Sequence, residues 1–173
     1  MNYAEIKTTD IANGEGVRVS LFVSGCLHHC KNCFNEIAWD FNYGKPFTEE
    51  TEKFLLEALS PDYIAGLSLL GGEPFEPQNQ RGLLPFVRKF KREFPNKTIW
   101  CYTGFTYKDG AFEEKRANCE VTAELVRLID VLVDGRFVEE LKDIRLKFRG
   151  SSNQRVIDVK RSLEGNSIVL YLT

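Results

Sequence analysis

The sequence predicts an α/β fold, a mainly parallel sheet with covering helices, in which residues 1–173 form one domain. Two observations carry that expectation. Short apolar runs that stop at glycine alternate with segments of helical periodicity, the pattern of strand–helix–strand units. The 173 residues are 43% hydrophobic and 28% charged, enough apolar side chain for one packed core.

Each element has its own signal. Val17–Val23 starts with apolar–polar alternation and ends apolar, which reads as a first strand. Thr48 suits the cap of a helix running to about Leu59, with Phe54, Leu55, Leu56 and Leu59 on one stripe. Residues 64–70 read as a short buried strand that stops at Gly71-Gly72, and Pro85 suits the first turn of a second helix. Phe86, Val87, Phe90 and Phe94 would face inward from that helix, and Arg88, Lys89, Lys91 and Arg92 would form its wet side. Residues 98–103 make a third strand closed by Gly104. Val121, Leu125, Leu128 and Ile129 recur at helical spacing before a fourth strand over 130–135. Segments 155–159 and 167–172 read as short strands, and polar residues 105–120 as an irregular insertion to which no function is assigned.

Charge and hydropathy exclude several classes. With 23 basic and 25 acidic residues the net charge is −2, unlike the basic excess of a general nucleic-acid binder. No apolar run approaches the roughly 18 residues of a membrane-spanning helix, and the N-terminus lacks the features of a secretory signal. A cytoplasmic protein with no nucleic-acid or membrane partner is expected.

Five cysteines are an odd set, and Cys26, Cys30 and Cys33 fall within eight residues in the pattern C-x-x-x-C-x-x-C. Such gaps let one loop wrap its thiolates around a single metal centre. Structural zinc would need a fourth ligand, and His28 and His29 lie inside the loop that must already aim Cys26 and Cys30. A four-cysteine cluster would draw on Cys101 or Cys119, although Cys101 sits mid-strand like a small buried hydrophobe. Three close cysteines without an obvious fourth favour a cubane with one iron open to a substrate, and zinc remains the alternative. Gly71-Gly72-Glu73-Pro74 offers exposed backbone beside a carboxylate, which suits the ammonium of an amino-acid-like ligand. The cysteine loop, this turn, Thr103-Gly104 and Asp134-Gly135 all directly follow strands, so they are expected on one sheet edge. Asp134 is read either as a ribose contact or as a turn residue.

The cysteine motif followed by Gly71-Gly72-Glu73-Pro74 resembles the radical S-adenosylmethionine superfamily. Asn13-Gly14-Glu15-Gly16, Leu21 to Cys26, Cys33-Phe34-Asn35, Trp100 to Gly104, Leu132 to Phe137 and Arg149 to Arg155 are similar to segments of the activating enzymes of anaerobic (class III) ribonucleoside-triphosphate reductase. The resemblance implies a partial (βα) barrel and an oxidoreductase in which Cys26, Cys30 and Cys33 ligate a [4Fe-4S] cluster. S-adenosyl-L-methionine would bind the fourth iron, with Gly71, Gly72 and Glu73 holding its amino group. Where much of the superfamily has an aromatic residue against the adenine this chain has Asn32; Cys33 and Phe34 complete the expected cofactor contacts. A low-potential electron donor, flavodoxin- or ferredoxin-like, would drive reductive cleavage of the cofactor, and a glycyl radical would be left on the large subunit of the reductase. Valine at Gly72 is expected to weaken cofactor binding while sparing the cluster. The alternatives are an activase of another glycyl-radical enzyme, of formate-lyase type, or a non-catalytic zinc-binding module.

Overall fold

The computed structural model describes residues 1–33 and 35–172. Strands β1 (Asn2–Asp10), β2 (Val17–Val23) and β3 (Lys45–Pro46) precede helix α1 (Glu49–Leu59) and strand β4 (Ile64–Gly71). Helix α2 (Pro77–Glu93) leads to strand β5 (Thr98–Tyr102), then to a hairpin of β6 (Tyr107–Lys108) and β7 (Ala111–Phe112). Helix α3 (Thr122–Leu128), strands β8 (Val131–Asp134) and β9 (Arg155–Asp158), helix α4 (Val159–Gly165) and strand β10 (Leu170–Leu172) complete the order.

Eight strands form one open mixed sheet in the order β10-β9-β8-β5-β4-β2-β1-β3. Its centre, β2-β4-β5-β8, is parallel, and the flanking strands pair antiparallel. The parallel strands are laid down in sequence order, so right-handed crossovers put α1, α2 and α3 on the same face. Strand side chains sort accordingly, with a period of two. Val19, Leu21, Leu67, Leu69, Ile99, Cys101, Leu132 and Ile157 join the core with Leu55, Leu83, Phe86, Leu125 and Val159 of the helices. Trp100, Val131, Val133 and Val156 form a smaller cluster on the opposite face.

Several expectations are revised. The second helix starts two turns before Pro85, because Pro77 is its first-turn proline. Pro85 is tolerated inside the helix on an exposed position, where water can satisfy the carbonyl its ring displaces. Segment 105–120 is not mere irregular chain: it contains the β6–β7 hairpin and a 3-10 turn at Lys115–Ala117, and contributes Phe105, Tyr107, Phe112 and Ala117 to the main core. Strands β1 and β3 and helix α4 had no sequence signal. Four of the five basic residues on α2 lace it to its neighbours, as Arg81 pairs with Glu120, Arg88 with Glu124, Lys89 with Glu52 and Lys91 with Asp130.

Beneath the sheet, at the amino ends of the parallel strands, Arg18 is 1% exposed and has no carboxylate partner among the described residues. Its Nε donates to Ser68 Oγ, Nη1 to the Glu15 carbonyl and Thr98 Oγ1, and Nη2 to the carbonyls of Leu67 and Thr98, at 2.8–3.1 Å. Five N–H groups thus tie β2, β4 and β5 together. Burial lowers its pKa to about 10, so it stays cationic at neutral pH. Arg18→Met should cost about 3 kcal/mol, because five hydrogen bonds are lost and the buried Ser68 hydroxyl and Leu67 carbonyl lose their charged donor. Thermal denaturation should register a Tm lowered by about 6–12 °C. A loss of less than about 2 °C would contradict this account.

Candidate metal and cofactor site

The cysteine loop leaves the carboxyl end of β2 and is fixed before any ligand is considered. Gly25 N donates to the Ala38 carbonyl at 2.7 Å and Cys26 N to that of Trp39 at 3.1 Å. Leu27 N donates to Glu76 Oε2 at 2.8 Å, and Arg136 donates to the His28 carbonyl. Cys33 N closes a turn on the Cys30 carbonyl at 3.1 Å, with Asn32 at φ 56°. That third turn position favours Gly or Asn over an aromatic residue, which gives Asn32 a backbone reason to be there. Phe34, the other residue expected near the adenine, lies outside the described residues.

The loop interlocks with the turn after β4. Gly72 N donates to the Val23 carbonyl and Glu73 N to the Gly25 carbonyl, both at 2.8 Å. Gly71 adopts φ 110°, which a side chain would strain. At Gly72 an added Cβ would lie 2.6 Å from Gly25 O and 2.9 Å from Ala38 O. The close approach that this glycine permits is therefore to the start of the cysteine loop itself.

Glu73 is 1% exposed and its carboxylate accepts four hydrogen bonds. His28 Nε2 and Gly104 N donate to Oε1, both at 2.7 Å, while Phe75 N and Thr103 Oγ1 donate to Oε2 at 2.8 and 2.7 Å. One side chain thereby joins the ends of β4 and β5 to the cysteine loop. His28 is buried and its ring meets Phe105 edge-on at 4.5 Å, whereas exposed His29 stacks on Trp39 at 4.3 Å.

The donor chemistry fits an iron–sulfur cluster. All three motif cysteines are free thiols, Cys26 buried and the other two half-buried. Burial, reinforced by the Glu73 and Glu76 carboxylates, pushes Cys26 up to about 12, so a metal must displace its proton. Among the described residues no three Cys, His, Asp or Glu side chains are gathered closely enough for one metal ion. The indole Nε1 of Trp39, beside the loop, is buried with no partner among the described residues, a donor left over for such a cluster.

The remaining sequence-marked residues are placed elsewhere. Cys101 is fully buried in the helix-side core, and Cys119 Sγ lies 3.5 Å from Gln80 Oε1. Asp134 is not an open contact, since it accepts from Tyr107 N and from two nitrogens of Arg155. In the 149–154 run, Gln154 Nε2 donates to the Gly135 carbonyl and Asn153 Nδ2 to that of Arg136, which locks the segment after β8. Glu76, Arg116 and Arg136 were missed. Glu76 had a faint signal, a second carboxylate three residues after Glu73, and the two arginines had none.

Comparison with known proteins follows the same lines. Residues 12–157 match a family described as a 4Fe-4S single cluster domain. The chain is 44% identical over 156 residues to the anaerobic ribonucleoside-triphosphate reductase-activating protein of Pasteurella multocida (strain Pm70), covering 89% of this chain and 95% of the relative. It is 44% identical over 158 residues to the protein of that name from Escherichia coli (strain K12), covering 90% and 97%. It is 40% identical over 156 residues to that from Enterobacteria phage T4, covering 90% and 93%.

Proposed function

Because this chain belongs to the family of anaerobic ribonucleoside-triphosphate reductase-activating proteins, we propose that it generates a glycyl radical on the large subunit of such a reductase, using S-adenosyl-L-methionine at a [4Fe-4S] cluster. The observation that carries this reading is the interlock of the Cys26-Cys30-Cys33 loop with Gly71-Gly72-Glu73 at the carboxyl ends of adjacent parallel strands.

When bound, the cluster and S-adenosylmethionine supply one-electron cleavage of the sulfonium and removal of a glycine α-hydrogen, with methionine and 5′-deoxyadenosine as products. The chain's own work is placement. Cys26, Cys30 and Cys33 would each hold one iron, which would leave the fourth for the cofactor's amino and carboxylate groups. Gly71, Gly72 and Glu73 would hold the cofactor's amino group. Glu73 contributes its charge there, while its four hydrogen bonds keep the strand ends together. Asn32 and Cys33 would complete the cofactor contacts; Phe34, also expected there, lies outside the described residues. The electron comes from a flavodoxin- or ferredoxin-like donor in a reducing cytoplasm. No helix among the described residues is long and apolar enough to cross a membrane.

Anaerobic mixing of the reduced protein, S-adenosylmethionine and the reductase tests the reading. A glycyl doublet should rise in electron paramagnetic resonance in proportion to 5′-deoxyadenosine. With reductase labelled by α-deuterated glycine, deuterium should appear in the deoxyadenosine; its absence from that product would sink the proposal.

A further inference from the structure

The half-exposed Arg116 reaches the cysteine loop along two arms. It pairs with Glu76, whose side chain is 3% exposed and whose other oxygen accepts Leu27 N at 2.8 Å. Its guanidinium also lies 4.6 Å over the ring of Phe105, which packs on His28 at 4.5 Å. Leu27 and His28 are consecutive residues between Cys26 and Cys30, so both arms end on the span that must hold two of the thiolates. Arg116 itself belongs to the 3-10 turn of segment 105–120, a stretch with no assigned function. That turn is anchored in its turn, because Gln80 Nε2 donates to the Ala117 carbonyl at 2.5 Å and Thr122 Oγ1 donates to Gln80 Oε1 at 2.6 Å.

We propose that Arg116 is a positioning residue for the cluster loop, fixing the Leu27-His28 span through Glu76 and Phe105 and balancing the Glu76 carboxylate beside the cluster. The inference rests on the cluster reading above and adds a role that the motif residues do not supply. Its electrostatic sign is definite. Reduction adds negative charge to the cluster, so a nearby cation favours the reduced form and a nearby buried carboxylate opposes it. Arg116 offsets Glu76, and without it the cluster should be harder to reduce. The mechanical consequence is separate. A residue that supports ligands from outside typically affects metal retention by about 10–100-fold.

The test uses the full chain, reconstituted anaerobically with iron and sulfide, as wild type, Arg116→Gln, Arg116→Lys, Glu76→Gln and the double variant Arg116→Gln/Glu76→Gln. Two readouts are taken beside a thermal melt: the cluster midpoint potential, and the rate of iron release to a chelator. Arg116→Gln should move the potential to a more negative value and speed iron release by about tenfold or more. Arg116→Lys should recover most of the potential. Glu76→Gln should raise the potential, and in that background removing Arg116 should matter less, the signature of a coupled pair. If Arg116→Gln lowers the melting temperature while potential and iron release match wild type, the residue is merely structural and the proposal is overturned. Should Arg116→Gln fail to fold, Glu76→Gln and Arg116→Lys carry the test, and an unmoved potential in Glu76→Gln then overturns it. Failure of the wild type to take up a cluster at all would instead refute the cluster reading.

Discussion

Replacing any one of Cys26, Cys30 and Cys33 with Ala should leave a folded chain that fails to hold a four-iron cluster, whereas Cys101→Ala and Cys119→Ala should reconstitute like wild type. The asymmetry follows from where each thiol stands. The first three share one loop between the ends of β2 and its Ala38-Trp39 anchor, while Cys101 lies within the helix-packed core and Cys119 between α2 and α3. Cys101→Ala should cost stability, of the order of 1–2 kcal/mol for the small cavity left behind, without touching iron. Iron and acid-labile sulfide per chain, read with the visible absorption, decide the matter. A Cys101→Ala protein that folds but cannot assemble the cluster would show that the open-iron argument is wrong.

Valine at Gly72 should prevent cluster assembly, a larger effect than the loss of cofactor affinity that the glycine pattern alone suggests. Its Cβ would stand 2.6 Å from the Gly25 carbonyl oxygen and 2.9 Å from that of Ala38. Both oxygens are already engaged, Gly25 O by Glu73 N and Ala38 O by Gly25 N, so neither can withdraw without breaking a bond that holds the loop. Overpacking of this kind costs about 1–3 kcal/mol, and here the strain falls on the segment carrying Cys26. Iron content should therefore fall together with S-adenosylmethionine binding. A Gly72→Val protein with full iron and only weakened cofactor binding would return the glycine to its ligand-side role.

The parts legible in the sequence share a local cause. Strand β4 announces itself by an apolar run and a glycine stop, α1 by Thr48 and a stripe of leucines, and the metal loop by three cysteines within eight residues. What escaped depends on distant partners. Strand β1 carries mostly half-exposed and polar residues, and its identity comes from antiparallel pairing with β2. Helix α4 buries only Val159 and the polar Ser162, so no apolar stripe marks it. In segment 105–120 many polar residues masked the four that are buried. Glu73 was conspicuous, yet His28, Thr103 and Gly104, three of its four donors, lie 45, 30 and 31 residues away, beyond any local pattern. Pro85 misled because a proline suits a helix start, and Pro77 already filled that place.

An open sheet has two unpaired borders, each a template on which a second chain could add by backbone hydrogen bonding. Here the borders are β10, of three residues, and β3, of two; because β3 (Lys45 and Pro46) pairs only with Asn2 and Tyr3, the rest of β1 to Asp10 is border as well. Proline lacks the N–H that an added strand would need and β10 offers few rungs, while the open part of β1 carries Glu5, Lys7 and Asp10 and register shifts that oppose regular pairing. An open sheet bounded this way should resist growing into fibrils by edge addition. Concentrated protein should then remain dispersed even though its central layer is a ladder with two free borders.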